Sequence, residues 1–301
     1  VESQEPQGLL RAIGRVDDGV VLLNMTDGFY PVTASYFPAM CAMFGWRYFG
    51  NSAALQLGVQ NKYLQYAMCR LLGVRAPESF LYDGERCLSE TPPPDGEFPF
   101  FVKPFDQANS IGIFNEAVLD RLREAVAVAA RIKSHYGTKA LIQRYVAGDT
   151  IRVNYVGAAP ERPLTECLGI HRMKGPPEPE RPFTDFETHL RDFVQADADY
   201  AREAVATPLD PNGGRTDAAA VRQIRREVSA FARQFGLRDI FSMDYKLASS
   251  GECYFIEVNT LPFARNAALK AYCRSEFGLS VGAAMARAIV GRHSAEFPKE
   301  W

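Results

Sequence analysis

The stretch Asp239–Pro262, DIFSMDYKLASSGECYFIEVNTLP, constrains the fold of this chain more than any other. It reads as two strands, FSMDYKL and CYFIEVN, around the turn-rich ASSGE. Counting outward from a loop at Ser249–Glu252 pairs Ala248 with Cys253 and sets Asp244 opposite Glu257. Side chains alternate along a strand, so Glu257 and Asn259 share a face that Asp244 joins across the hairpin. Facing carboxylates repel, and a hard divalent cation would relieve the conflict. A hairpin with a solvated polar face and no ion fits the segment equally well. The rest of the chain has to choose between them.

Apolar residues make up 47% of the 301, as in ordinary globular proteins, and the length suits two or three packed units. The formal charge is −2, from 34 basic and 36 acidic residues, which gives no global field for nucleic acid. No apolar run approaches the roughly 20 residues of a membrane span, and no signal-peptide profile opens the chain. The six cysteines are scattered without a C-x-x-C pair, which points away from zinc and disulfides and towards a cytoplasmic setting. The chain begins at Val1, so an N-terminal piece is expected to be missing.

Taken in order, Gly19–Met25 reads as a buried strand, Ala34–Phe44 as a helix and Trp46–Phe49 as a second strand. Ala53–Leu72 reads as one helix stopped by Gly73, with Lys62 on its polar stripe. Phe100–Pro104 is a strand that carries Lys103 into a small-residue loop with Asn109, Ser110 and Gly112. Backbone N–H groups in such loops can meet phosphate, with the lysine as a point charge. A long amphipathic helix is expected over Asn115–Tyr136, then strands Ala140–Val146 and Thr150–Val156. The proline-rich Pro160–Pro211 reads as a lid or a surface excursion, with a helix near Phe186–Ala206. Helices follow at Asp217–Phe235 and Val281–Val290.

Four stretches, NKYLQYAMCRLLGVRAPES, FFVKPFDQANSIGI, LIQRYVAGDTIRV and FSMDYKL…YFIEVNTLP, occur in an order that resembles the ATP-grasp ligases. The likeness is to D-alanine–D-alanine ligases and related carboxylate–amine ligases, over roughly residues 20–290. It implies an α/β (α+β) ATP-grasp fold: an N-terminal α/β unit at 1–75, a central subdomain at 76–147 and a C-terminal subdomain at 148–301. ATP and Mg²⁺ are the implied cofactors, with two ions in the site and Mn²⁺ able to substitute. Implied partners are amino-acid-like carboxylate and amine substrates, with no nucleic acid or membrane and with a homodimer as candidate assembly.

The resemblance also assigns residues. Lys62 and Lys103 match lysines that neutralise ATP phosphates, and Ser110 and Gly112 the loop over them. Gln143, Tyr145 and Val146 match the strand along adenine, and Asp149 stands in for a glutamate that holds ribose. Asp244, Glu257 and Asn259 match the magnesium ligands, while Phe255 and Ile256 read as core. The departures lie on the substrate side. Ser242 stands where the D-alanine ligases have an oxyanion-binding arginine, Phe263 where they have Gly, and Ala268 where a serine holds the second D-alanine. Arg152 and Arg265 are the candidate replacement cations, with His171 and Lys174 as weaker candidates in the lid. The expected activity is ADP-forming amide synthesis through an acyl phosphate. A D-alanine–D-alanine ligase with a divergent pocket and a non-catalytic nucleotide-binding protein are the alternatives.

Overall fold

The computed structural model describes residues 20–23, 33–89, 91, 95–107, 110–173, 206–212, 214–262 and 267–293. Strand β1 (Leu22–Leu23) pairs in parallel with β2 (Tyr48–Phe49), and α1 (Thr33–Phe44) lies between them in sequence. The expected single helix over 53–72 is two, α2 (Ala53–Gln60) and α3 (Lys62–Leu72). Asn61 separates them in an extended conformation (φ −88°, ψ 102°), and its side chain accepts from the Leu64 N–H at 3.0 Å. A good N-cap thus begins a second helix inside one apolar pattern. Gly73 ends α3 with φ 63°, as expected of a left-handed cap.

The first large sheet holds β3 (Ser79–Asp83), β4 (Arg86–Cys87), β5 (Phe100–Pro104), β6 (Val118–Leu119) and β7 (Ala140–Arg144), ordered β4-β3-β7-β5-β6. Helix α4 is Leu122–Tyr136, shorter than the predicted Asn115–Tyr136. Residues 117–119 are drawn into the sheet instead: Val102 N–H donates to Ala117 O at 2.9 Å, and Val118 pairs with Phe101. Phe80, Tyr82, Phe100, Val102 and Ile142 pack with Ala125, Val128 and Ile132 of α4. Alternation therefore turns Phe101, Lys103, Leu141 and Gln143 to the opposite face.

The second sheet holds β8 (Asp149–Val156), β9 (Gly169–Met173), β10 (Ala206–Pro208), β11 (Ile240–Leu247) and β12 (Cys253–Asn259), ordered β10-β9-β8-β11-β12. Every pairing in it is antiparallel. Part of the predicted lid, 169–173 and 206–208, is thus sheet, whereas residues 186–205 of the predicted helix lie outside the described residues. Helix α5 (Arg215–Phe235) packs Ile224, Val228 and Phe231 against Ile151, Val153, Phe241, Met243, Tyr245 and Phe255. Phe231 stacks on Phe255 at 5.5 Å, which places Phe255 in the core as expected. Helices α6 (Ala267–Phe277) and α7 (Val281–His293) pack against Val156 and Ile240 at one end of the other face.

Asn51 ties the N-terminal elements to the second sheet. Its amide donates to Ile240 O at 2.8 Å and Thr260 O at 3.0 Å, and its oxygen accepts from Arg238 N–H at 2.8 Å. The start of β11 and the end of β12 are fixed to one side chain. All six cysteines are free, and among the described residues no helix is long and apolar enough to cross a membrane.

Glu227 of α5 is 3% exposed and lies against the buried Tyr245. Burial raises its carboxyl above the usual 4.5, although Gln223 donates to it at 2.9 Å and Arg226 and Arg75 oppose the shift. A raised folded pKa stabilises the protein below the unfolded value, and the contribution is lost as pH rises through the folded value. Glu227→Gln keeps the acceptor without the charge. It should melt roughly 2–4 °C above the parent at pH 8, about 1 kcal/mol for a chain of this size. The gap should close towards pH 4.5, as thermal melts across pH would show.

Candidate active site

The hairpin β11–β12 sets Asp244 opposite Glu257, but by a different route from the sequence count. Leu247, not Ala248, pairs with Cys253, so the loop is one residue longer than predicted. A register shift between Asp244 and Tyr245 then leaves Ile256 as an extra residue. The two offsets cancel. Phe255 and Val258 both remain in the core, while Glu257 and Asn259 reach the polar face. The outer edge of β12 is covered as well: Phe255 N–H donates to Arg75 O at 2.8 Å and Val258 N–H to the Gln65 side chain at 2.9 Å.

Pairing carries this face across four strands. His171, Arg152, Asp244 and Glu257 form one row, and Gly169, Asn154, Ser242 and Asn259 form the next. Arg152 holds Asp244 bidentately, with Nε to Oδ1 at 2.6 Å and Nη2 to Oδ2 at 2.7 Å. The geometry is that of a strong charge-assisted pair. His171 is therefore a strand residue, 3% exposed and paired with Arg152, rather than part of a lid.

Two lysines reach this row from other elements. Lys62 opens α3, with its N–H donating to Phe105 O at 2.8 Å and its ammonium 3.8 Å from Glu257. It also donates to the Gln107 carbonyl. The polar stripe assigned to it is in fact the buried face of α3: Lys62, Gln65, Tyr66 and Cys69. Lys103, 4% exposed, donates to the Tyr66 hydroxyl at 3.1 Å. Tyr66 donates in turn to Ile256 O at 2.8 Å, the carbonyl of the extra residue.

The electrostatics match the crowding. Burial lowers the Lys62 pKa, with Glu257 acting against the shift. Burial brings Lys103 down to about 8, again with Glu257 and Asp244 opposing. Burial alone would raise the Glu257 carboxyl, but Lys62, Lys103 and Arg152, with a hydrogen bond from Asn259, hold it below the usual carboxylate range. Lys62, Lys103 and Arg152 thus gather against Asp244 and Glu257, with Asp106 also acting on Lys62.

The donor set suits magnesium. Each Asp244 oxygen gives one lone pair to Arg152 and keeps another, and Glu257 and Asn259 add a carboxylate and an amide oxygen. Among the described residues no three His, Cys, Asp or Glu side chains gather into a closed site. An ion here would complete its shell from phosphate oxygens and water, as Mg²⁺ commonly does.

The remaining candidates divide. Gln143 joins the network: it donates to Ser79 Oγ at 2.6 Å, and its oxygen lies 3.4 Å from the Tyr66 hydroxyl. Tyr145 is half-buried beside Phe101 and donates its N–H to Pro99 O at 2.7 Å. Val146 follows β7, half-buried. Ser110 has φ 57° and Gly112 φ 75°; a Cβ on Gly112 would lie 2.5 Å from Pro104, so the loop packs directly beside the Lys103 strand. Asp149 does not join the cluster. It shares the α5 face of β8 with Ile151, and Arg172 holds it at 2.8 Å. Ala268 is buried in α6. Arg265, Asn109, Phe263 and Lys174 lie outside the described residues. Tyr66 and Gln65 were not singled out in the sequence, although their spacing from Lys62 (i+3, i+4) is that of one helix face.

The chain is 25% identical over 218 residues to the Vancomycin C-type resistance protein VanC1 of Enterococcus gallinarum, covering 71% of this chain and 56% of the relative. It is 25% identical over 186 residues to a D-alanine–D-alanine ligase of Trichlorobacter lovleyi, covering 62% and 50%. The chain thus spans about half the length of the curated relatives it matches. The Bacillus anthracis D-alanine–D-alanine ligase complexed with ATP superposes with a TM-score of 0.65 at 13% identity, covering 98% of this chain and 86% of that one. The fold is the ATP-grasp fold. With residues 94–289 matched by the model of the "D-ala D-ala ligase C-terminus" family, the chain belongs to that family.

Proposed function

We propose that this chain is an ATP-dependent carboxylate–amine ligase that forms an amide bond between amino-acid-like substrates and releases ADP. One observation carries the reading: Lys62 of α3 and Lys103 of β5 converge on the paired Asp244 and Glu257 of a different sheet. In the proposed division, residues 1–75, 76–147 and 148–301 are three units, and the last two clamp the nucleotide.

In this reading Asp244, Glu257 and Asn259 hold magnesium, as two ions that manganese can replace. Magnesium, when bound, offsets charge on the transferring phosphoryl group. Lys62 and Lys103 neutralise phosphate oxygens, the main contribution a protein makes to phosphoryl transfer. Ser110 and Gly112 shape the loop over the phosphates. Gln143, Tyr145 and Val146 line the adenine side. The substrate carboxylate oxygen attacks the γ-phosphorus, ADP leaves, and an acyl phosphate forms. The amine nitrogen then attacks the acyl carbon, loses a proton, and phosphate departs. Arg152, in the row of Asp244, and Arg265 are the cations proposed to stabilise the oxyanion of that second step. The burial of Lys103 and Asp244 supports this reading, since an acyl phosphate has to be kept from water.

The names of the relatives favour D-alanine as substrate, as a second reading. Ser242 and Ala268, without the charge and hydroxyl that D-alanine recognition implies at these positions, favour a different amino-acid-like pair. Release of ADP from Mg·ATP, measured over single and paired L- and D-amino acids with mass spectrometry of the products, decides. A new amide formed with stoichiometric ADP supports the ligase. No ADP above background in any mixture removes it.

A further inference from the structure

Among the described residues, two side chains on the active face keep buried polar atoms without a hydrogen-bond partner. Asn154 is 0% exposed, and among the described residues neither its Oδ1 nor its Nδ2 has a hydrogen-bond partner. His171, 3% exposed, hydrogen-bonds the Gly169 backbone, but its Nδ1 has no partner among the described residues. Both flank Arg152: Asn154 two residues along β8 on the same face, His171 directly across on β9. Leaving a buried amide unpaired is costly, and most buried polar groups in proteins avoid it.

Small residues flank Asn154 in the sheet, and the Tyr272 ring fills the space over one of them. The neighbour of Asn154 on β9 is Gly169, whose missing Cβ would lie 2.2 Å from the Tyr272 ring. Its neighbour on β11 is Ser242, 2% exposed, followed by Asn259 on β12. The row therefore offers a neutral amide with two donors and an acceptor, one residue pair away from the charged row. Those groups complement an amino acid, whose carboxylate accepts hydrogen bonds and whose amine donates them.

We infer that Asn154, with His171, forms a recognition subsite for the amino-acid-like substrate beside Arg152. Nδ2 of Asn154 donates to a substrate oxygen, Oδ1 accepts from a substrate N–H, and the neutral His171 ring takes up a second polar group. This rests on the ligase reading and names the residues by which that ligase selects its substrate.

The test uses the whole chain and two substitutions, Asn154→Leu and Asn154→Ala. Removing an unpartnered amide should leave the ligand-free melting temperature of Asn154→Leu unchanged or higher. Mg·ATP affinity, read by calorimetry, should stay within about twofold of the parent in both variants. The substrate pool that raises the parent's melting temperature should fail to raise that of Asn154→Ala, and KM for the substrate should rise at least about tenfold. A clear fall in the melting temperature of both variants would mean that Asn154 holds a structural water or protein group, and would overturn the inference. So would an unchanged KM, or no response of the parent to any amino-acid pool. A parent that responds to amino acids without ever releasing ADP would sink the ligase reading while leaving the subsite standing.

Discussion

Lys103→Met is expected to lower ADP release by about 10²–10³-fold, the usual loss when a preorganised charge facing a transition state is removed. Lys103 ends β5 on the face turned away from α4, donates to Tyr66 at 3.1 Å and feels the charge of both Glu257 and Asp244. Methionine keeps the apolar stem that fills the buried slot and deletes only the ammonium. Thermal stability should therefore hold, since a buried cation is costly wherever its partners are incomplete. Steady-state phosphate release checks the rate, and a loss below about fivefold would show that the phosphoryl group lies elsewhere.

Arg152→Ala should cost a similar factor in kcat, about 10²–10³-fold, with Mg·ATP binding largely kept. The substitution separates two roles for the same guanidinium. Its bidentate grip on Asp244 at 2.6 and 2.7 Å could serve only to orient a metal ligand, or the guanidinium could also reach the reacting carbonyl. If Mg·ATP affinity falls in step with turnover, Arg152 is a positioning residue for Asp244. If affinity survives while kcat falls, it acts on the reacting atoms. Arg152→Lys should recover little, because an ammonium does not reproduce a planar two-point contact. Together with Lys103→Met, this result would divide the charged row into its phosphate and carbonyl ends.

Much of this site was legible in the sequence, though by reasoning that was only partly right. Asp244 faces Glu257, but the hairpin count succeeded because a longer loop and an extra residue at Ile256 compensate each other. Period-two reasoning cannot detect a bulge when nothing local demands one. In the sequence Lys62 falls on a polar stripe, which normally marks the outer face of a helix. Here the stripe Lys62–Gln65–Tyr66–Cys69 is buried, and the sign of that lay in the Tyr and Cys at i+4 and i+7. The Gln143–Ser79–Tyr66 contacts link positions 64 and 77 residues apart, which no local pattern encodes. Strand β9 was hidden because His171 and Arg172 interrupt its apolar run within a proline-rich region. The start of α4 moved because pairing of Val118–Leu119 with β5 outweighed helical periodicity.

The central claim is that the Asp244–Glu257 pair and the two lysines hold a magnesium-bound nucleotide. Calorimetric titration of ATP into this chain, with magnesium and with excess chelator, and repeated for Glu257→Gln, tests it most directly. Binding at least about tenfold tighter with magnesium in the parent, with that dependence lost in Glu257→Gln, is the predicted result. Equal affinity with and without magnesium, or a variant that keeps the full magnesium dependence, would contradict it.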